Sequence, residues 1–385
     1  MVFRQCRNTV FPQVVNTPIL HVMEDDVIKL LQMPLYGKSV SNLEARLGEI
    51  LLKPLPPEVE SMTVLCNSAN SVLDNENEVI RPRDRRGRPG GLLRLNKNIP
   101  TVVVPDLHAR MDFFYSAMMT PIFGTQTILE LFAAKQLQMV CVGDAFHSEG
   151  HQARRWKLAF DEFQLKYQKH ESMDCEMRDS MCLAEMIMEV KRAFPDHFHF
   201  LKGNHENILN ENGSGNYPFR KFAYEGAMVL EYMKMFYGPI FLKLYAMFEK
   251  KLPLLAVGDN FMISHSEPET FFCTDDVVNF RSNQEVVYGL TWTDNGAAQP
   301  GSVMQMIMHY LSPETWNEAV YLGGHRPVAN AYQTRADGRY LQIHNPQRFQ
   351  VVILPCGRPA DLTIDVINIP DRSMTVREKT RMAKR

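Results

Sequence analysis

Residues 195–207 read PDHFHFLKGNHEN: a proline, a run of apolar and aromatic residues, then an abrupt polar turn. Ahead of the proline, Leu183, Met186, Ile187, Val190 and Phe194 recur at helical spacing, so a helix with one apolar stripe is predicted to stop at Pro195. FHFLK (198–202) then reads as a strand, and Asn204 and His205 stand just past its end. Helix, strand and polar turn in that order are the repeating unit of an α/β fold.

The unit recurs on both sides. Upstream, TVVV (101–104) leads into VVVPDLHAR with Asp106 and His108, and MVCV (139–142), after a helix near 127–137, leads into GDAFHSEG with Asp144. Downstream, a helical stretch with Phe241, Leu244, Phe248 and Leu252 on one face precedes LLAV (254–257) and FMIS (261–264), after which comes His265. AVYL (319–322) leads to GGHRP with His325, and YLQIH (340–344) and QVVIL (350–354) read as further strands. Functional groups in open α/β sheets gather outside the carboxyl ends of strands, so the five motifs are expected to share one cleft. Carboxylates, an amide oxygen and imidazoles form a mixed donor set suited to Mn, Fe or Zn, and no thiolate is placed to make a zinc finger. One ion would leave donors over. Two ions roughly 3.5 to 4 Å apart, sharing a carboxylate, would use them all and could activate a bridging water and clamp phosphoryl oxygens.

From Thr101 to Leu354 the chain resembles the calcineurin-like metallophosphoesterases, and within them the phosphoprotein phosphatase branch. PDHFHFLKGNHEN is similar to that family's GNHE segment, FEKKLPLLAVGDNFMISHSEP (248–268) to its approach to a metal histidine, and GLTWTDNG (289–296) to a tryptophan-containing loop. The resemblance implies a four-layer α/β (α+β) sandwich, two mixed sheets flanked by helices, and two divalent metal ions. It implies that Asp106 and His108 bind the first metal, Asp144 bridges both, and Asn204, His265 and His325 bind the second. His205 would act as general acid toward the leaving oxygen. The activity implied is that of a serine/threonine protein phosphatase, in which a metal-bridging hydroxide attacks a phosphomonoester directly. A phosphodiester, a dinucleoside polyphosphate or a small phosphorylated metabolite is the alternative substrate. A non-catalytic metal-binding scaffold is the alternative from another class.

The departures are specific. Where the family has GDxxDRG this chain has GDAFHSEG, so His147 replaces an aspartate expected to orient the acid histidine and Ser148 replaces a phosphate-binding arginine. Lys202 stands before GNHE where arginine is common, a point charge in place of a bidentate fork. Arg110, Arg154, Arg155, Arg220 and Arg326 are candidates for the lost arginine, with Arg110 and Arg326 nearest the metal motifs. The helical insertion 150–195 is longer than the corresponding family span, and is expected to lie over the cleft and favour a small substrate.

Composition bounds the rest. Over 385 residues, 42 Lys and Arg stand against 44 Asp and Glu, giving a net charge of -2, so no specific nucleic-acid partner is indicated and any polyanion site must be local. Seven cysteines in no framework spacing fit a reducing, cytoplasmic setting, and Glu231, Lys234 and Lys243 interrupt the most apolar long stretch, which disfavours a membrane span. Residues 1–98 are read as an N-terminal extension, helical over 25–52 through Val27, Leu30, Leu31, Leu43, Leu47 and Ile50, and carrying an arginine-rich solvated loop at 81–94. Residues 99–370 are read as the catalytic domain and 371–385 as a polar, frayed tail. The methionine stripes are read as core packing and Cys141 as a buried thiol. His151, His170 and His344 are read as surface or structural.

Overall fold

The computed structural model describes residues 40–383. Val27, Leu30 and Leu31 therefore lie outside the described residues. Within them the strands are β1 (Leu92–Arg94), β2 (Thr101–Val104), β3 (Pro121–Phe123), β4 (Gln126–Thr127), β5 (Gln138–Cys141), β6 (Phe198–Phe200), β7 (Leu255–Val257), β8 (Phe261–Ser264), β9 (Val320–Gly323), β10 (Gln333–Arg335), β11 (Tyr340–Gln342), β12 (Gln350–Leu354) and β13 (Val366–Asn368). One sheet has the order β13-β12-β2-β5-β6, the other β1-β7-β8-β9-β11-β10, and β3 and β4 form a small ribbon. Both large sheets are mixed. In the first, β2, β5 and β6 are parallel and β12 is antiparallel to β2; in the second, β8, β9 and β11 are parallel and β7 is antiparallel to β8.

The period-two alternation of the strands sorts their side chains into three apolar layers. Val102 and Val104 of β2, Met139 and Cys141 of β5, and Val351 of β12 face helices that include Val59–Asp74, Met111–Met119, Glu171–Ala193 and Gly238–Lys251. Between them in sequence, Val103, Val140 and Val352 face the other sheet and meet Ala256, Ile263, Leu322 and Leu341. On that sheet's far side, Leu255, Met262, Tyr321 and Tyr340 pack against Thr274–Val278, Gln284–Thr291 and Ser302–Tyr310. The expected sandwich, two mixed sheets flanked by helices, is therefore present. Strands such as TVVV read as unbroken apolar runs because both of their faces are covered.

The second half of the insertion does not line the cleft. Its long helix, Glu171–Ala193, buries every residue from Ser180 to Lys191 and packs against Val40–Leu52, Val59–Asp74 and Met111–Met119. A helix apolar or paired on all sides belongs to the interior, and a lid would keep one face wet. The carboxyl-terminal segment, read as frayed, is helical over Ser373–Ala383 and packs on Met111–Met119 and Val40–Leu52.

The arginine-rich stretch is not solvated throughout. Arg83 and Pro89 bridge as a hairpin, and Arg85 and Arg86 are exposed at its turn. Arg81, at 0% exposure, instead pairs with the buried Glu76 and donates Nε–H to the Gly90 carbonyl at 2.7 Å, while Lys191 Nζ stands 2.6 Å from Glu76 Oε1. Burial pushes the Glu76 carboxyl up, but Lys191 and Arg81 outweigh it and hold the group at about 2, below its ordinary 4.5. A depressed carboxyl stabilises the fold above pH 4.5 and loses that contribution as pH falls toward 2. Glu76→Leu, which strands two buried cations, is expected to cost about 3–5 kcal/mol in urea unfolding at neutral pH, with a smaller difference from wild type near pH 3.

Candidate metal centre

Each parallel trio ends at the same edge of its sheet, and the polar residues lie in the turns that leave those ends. The turns after β2 and β5 are joined backbone to backbone: His108 N–H donates to the Asp144 carbonyl at 2.7 Å and Ala109 N–H to the Ala145 carbonyl at 2.9 Å. Glu206 fastens the third turn to them, its carboxylate accepting the N–H groups of Asp144 at 2.9 Å, Ala145 at 2.8 Å and Gly203 at 2.6 Å. The second sheet joins through His325, whose backbone N–H donates to Asp106 Oδ2 at 2.8 Å. Glu206 was missed in the sequence because its role is to clamp main chain, and no donor-set argument looks for that.

Asp106, His108, Asp144, Asn204, His265 and His325 are all buried and all brought together. Asn204 Oδ1 lies 2.9 Å from His265 Nε2 and 3.1 Å from His325 Nδ1, and Asp144 Oδ2 lies 3.5 Å from both His108 Nε2 and His265 Nε2. The imidazole tautomers are set from behind. His265 Nδ1–H donates to the Val142 carbonyl at 2.9 Å and His108 Nδ1–H to the His147 carbonyl at 3.0 Å, so the Nε2 lone pairs of both point inward. Buried Asp106 Oδ1, Asp144 Oδ2 and His325 Nε2 have no hydrogen-bond partner. His108, Asp144 and His325 take φ values of 43°, 56° and 66°, a left-handed backbone that costs these residues about 1–2 kcal/mol each.

The electrostatics point the same way. Burial pushes Asp106 well above its ordinary carboxylate range, with Asp144 and Glu149 adding to the rise, and it pushes Asp144 up to about 8. Burial likewise holds His265 down at about 4 and His325 well below its usual value. Two carboxylates and neutral imidazoles converging in a dry site are a donor set that cations complete. The close packing leaves no room for larger residues in the glycine motifs: a Cβ on Gly203 would lie 2.2 Å from Asp144 Oδ1, and one on Gly324 would lie 1.7 Å from Asp106 Oδ1. Among the described residues, Asp106, Asp144 and His265 bring donor atoms within 4.8 Å of one another, as do Asp106, His108 and His344.

His205 stands at the mouth, 11% exposed, with Nε2 3.9 Å from Asp144 Oδ2. Its ring is gripped between His147, stacked at 4.8 Å and 20°, and Phe219 at 4.6 Å, and its Nδ1 has no partner. His147 thus meets His205 through its ring face and rests on Trp156 at 5.1 Å, whereas an aspartate there would accept a hydrogen bond. Burial, then the His147 and His108 imidazoles, hold His205 well below its ordinary value.

Of the cations, Arg110 is committed to backbone carbonyls of Asp106, Leu107, Asn345 and Arg348 and holds the Asp106 turn, so it is not free to take a phosphate. Ser148 is turned away, 2.5 Å from Glu176 Oε2 and near Arg155, which pairs with Glu176 and Asp179. Lys202 is buried with its ammonium on the Glu206 carbonyl. Arg326 lines the cleft, held through Nε and Nη2 by Asp294 at 2.8 and 3.1 Å, and Arg220 and Lys221 line it from the segment after GNHE. The cleft has a volume of about 710 Å³ and is walled by Tyr217, Phe219, Tyr224 and Trp292.

His344 was read as surface or structural. It is fully buried beside this cluster, with Nδ1 3.6 Å from Asp106 Oδ2 and Nε2 2.9 Å from Glu149 Oε2. YLQIH placed it inside a strand; the strand ends at Gln342 and leaves His344 at a carboxyl end like the other site residues.

No protein-family model matches the chain, and no curated protein does. Among solved structures it is similar to a protein serine/threonine phosphatase from Saccharomyces cerevisiae with similarity to human phosphatase PP5, at 14% identity over 82% of this chain and 89% of that one, with a TM-score of 0.47. It is also similar to a cold-active protein-tyrosine phosphatase of a psychrophilic Shewanella species, at 13% identity over 70% of this chain and 78% of that one, with a TM-score of 0.35.

Proposed function

We propose that the chain is a metal-dependent phosphoester hydrolase of the serine/threonine phosphatase kind, acting on phosphomonoesters. The observation that carries the reading is the convergence of Asp106, His108, Asp144, Asn204, His265 and His325, drawn from five separated motifs, around unpartnered carboxylate and imidazole atoms. Asp106 and His108 would hold one divalent ion and Asn204, His265 and His325 another, with Asp144 shared between them. Bound there, such ions supply Lewis acidity toward phosphoryl oxygens and lower the pKa of water. The chain's own part is to hold the phosphoryl group against that pair and keep it dry. Arg326 and the exposed Arg220 and Lys221 bring positive charge to the cleft, and His205, facing it, would protonate the departing oxygen once the negative charge of a bound phosphoryl group offsets the burial and imidazoles that lower it.

The aromatic walls of the cleft favour a second reading on the same site, a small phosphorylated metabolite or a dinucleoside polyphosphate. Purified protein is expected to carry Mn, Fe or Zn, to lose turnover on chelation and to regain it on metal return. Comparing a phosphopeptide, a bis-phenyl phosphate ester and a dinucleoside polyphosphate then separates the substrate classes. A scaffold without chemistry would bind the metal and turn over none of the three.

A further inference from the structure

We propose that His344, oriented by Glu149, is an additional ligand on the Asp106 and His108 side of the pair, so that this cation takes four protein donors: Asp106, His108, Asp144 and His344. The inference rests on the dinuclear reading above, and it concerns two residues that the resemblance does not assign.

Three observations carry it. His344 is 0% exposed, its Nε2 is engaged by Glu149 Oε2 at 2.9 Å, and its Nδ1 has no partner while standing 3.6 Å from Asp106 Oδ2. With Nε2–H donating to the carboxylate, the Nδ1 lone pair is directed into the cluster. A carboxylate behind one imidazole nitrogen, with the other nitrogen aimed at a metal position, is the arrangement that fixes metal-ligating histidines. The His108 and His344 rings also share the same space, their centroids 5.1 Å apart, and Glu149 Oε1 lies 3.7 Å from His108 Nε2, the atom assigned to that cation. Finally, Glu149 is itself fixed: its side chain is 7% exposed and Lys221 Nζ pairs with it at 2.5 Å. In the GDAFHSEG segment, where an arginine for phosphate is absent, the chain thus turns Ser148 to the buried Glu176 and sends the next residue's carboxylate toward the cluster.

The chemical consequence is a cation with two imidazoles and two carboxylates in place of one and two, and with one fewer position open to solvent. Added imidazole shifts preference from Mn toward Fe and Zn.

The test uses the full chain loaded with Co(II), with bound metal counted by elemental analysis, affinity taken by chelator competition and the ligand field read from the visible spectrum. Wild type is expected to hold two equivalents. His344→Asn should weaken one equivalent by about 100-fold or more and alter the spectrum, while Glu149→Gln, which keeps the shape but not the charge behind the imidazole, should weaken the same equivalent by about 10- to 100-fold. A His344→Asn protein that binds both equivalents with wild-type affinity and spectrum overturns the proposal. If circular dichroism shows that His344→Asn does not fold, Glu149→Gln decides, and unchanged affinity there overturns it. A wild-type protein that binds no metal would overturn the dinuclear reading itself, a result distinct from either.

Discussion

Asp144→Asn is expected to lower metal-dependent phosphatase turnover by about 10³-fold or more, since a shared carboxylate supports both cations and several kcal/mol of charge stabilisation corresponds to that factor. The substitution is nearly isosteric, and its amide oxygen can still accept the His205 N–H that Asp144 Oδ1 accepts at 2.9 Å. It also removes a buried titratable carboxyl from beside Asp106, whose own carboxyl is raised first by burial and then by Asp144. Metal-free Asp144→Asn should therefore unfold no earlier than metal-free wild type. Turnover at the wild-type rate would remove Asp144 as the shared ligand; lost turnover together with an early unfolding transition would mean that the change had damaged the scaffold. Steady-state rates and thermal melts on the same preparations distinguish these outcomes.

His205→Asn is the second large effect, and it is selective. An acid that protonates the departing oxygen contributes about 10²- to 10⁴-fold where that oxygen is basic, and little where it leaves readily as an anion. Turnover of an alkyl phosphate is expected to fall by that range, and turnover of p-nitrophenyl phosphate by less than about tenfold. Equal losses on both would assign His205 to positioning. Its surroundings sharpen the experiment: the His205 ring lies between the His147 and Phe219 rings, and its Nδ1 has no acceptor. His147→Asp, which supplies an acceptor in place of the ring, is expected to raise the alkyl phosphate rate relative to the aryl one.

The parts of this molecule that were legible in its sequence are those set by local pattern. TVVV and QVVIL match β2 and β12 residue for residue because strands covered on both faces need unbroken apolar runs. Short edge strands escaped. β1 is only LLR beside an arginine-rich stretch, β10 is QTR with two exposed residues, and each owes its existence to pairing with a strand far along the chain. The six candidate donors could be named because each follows a strand and carries an atom able to bind a metal. What their neighbours do could not. Whether Ser148 faces the cleft depends on Glu176 in a remote helix, and whether Arg110 is free depends on the carbonyls of Asn345 and Arg348. His344 was passed over for the same reason, since its partner Glu149 lies in another motif and nothing in either segment announces the other.

The donors come from both halves of the sandwich: Asp106, His108, Asp144 and Asn204 from turns of the five-stranded sheet, His265 and His325 from the six-stranded one. Away from this edge the two halves meet across aliphatic contacts such as Val103, Ile263 and Leu322, which hold without direction. A cation gripped from both sides would act as a rivet through the seam, with bonds that do have direction. Catalytic competence and mechanical cohesion would then draw on the same atoms, and a cell short of the metal would lose its enzyme twice, first as activity and then as folded protein.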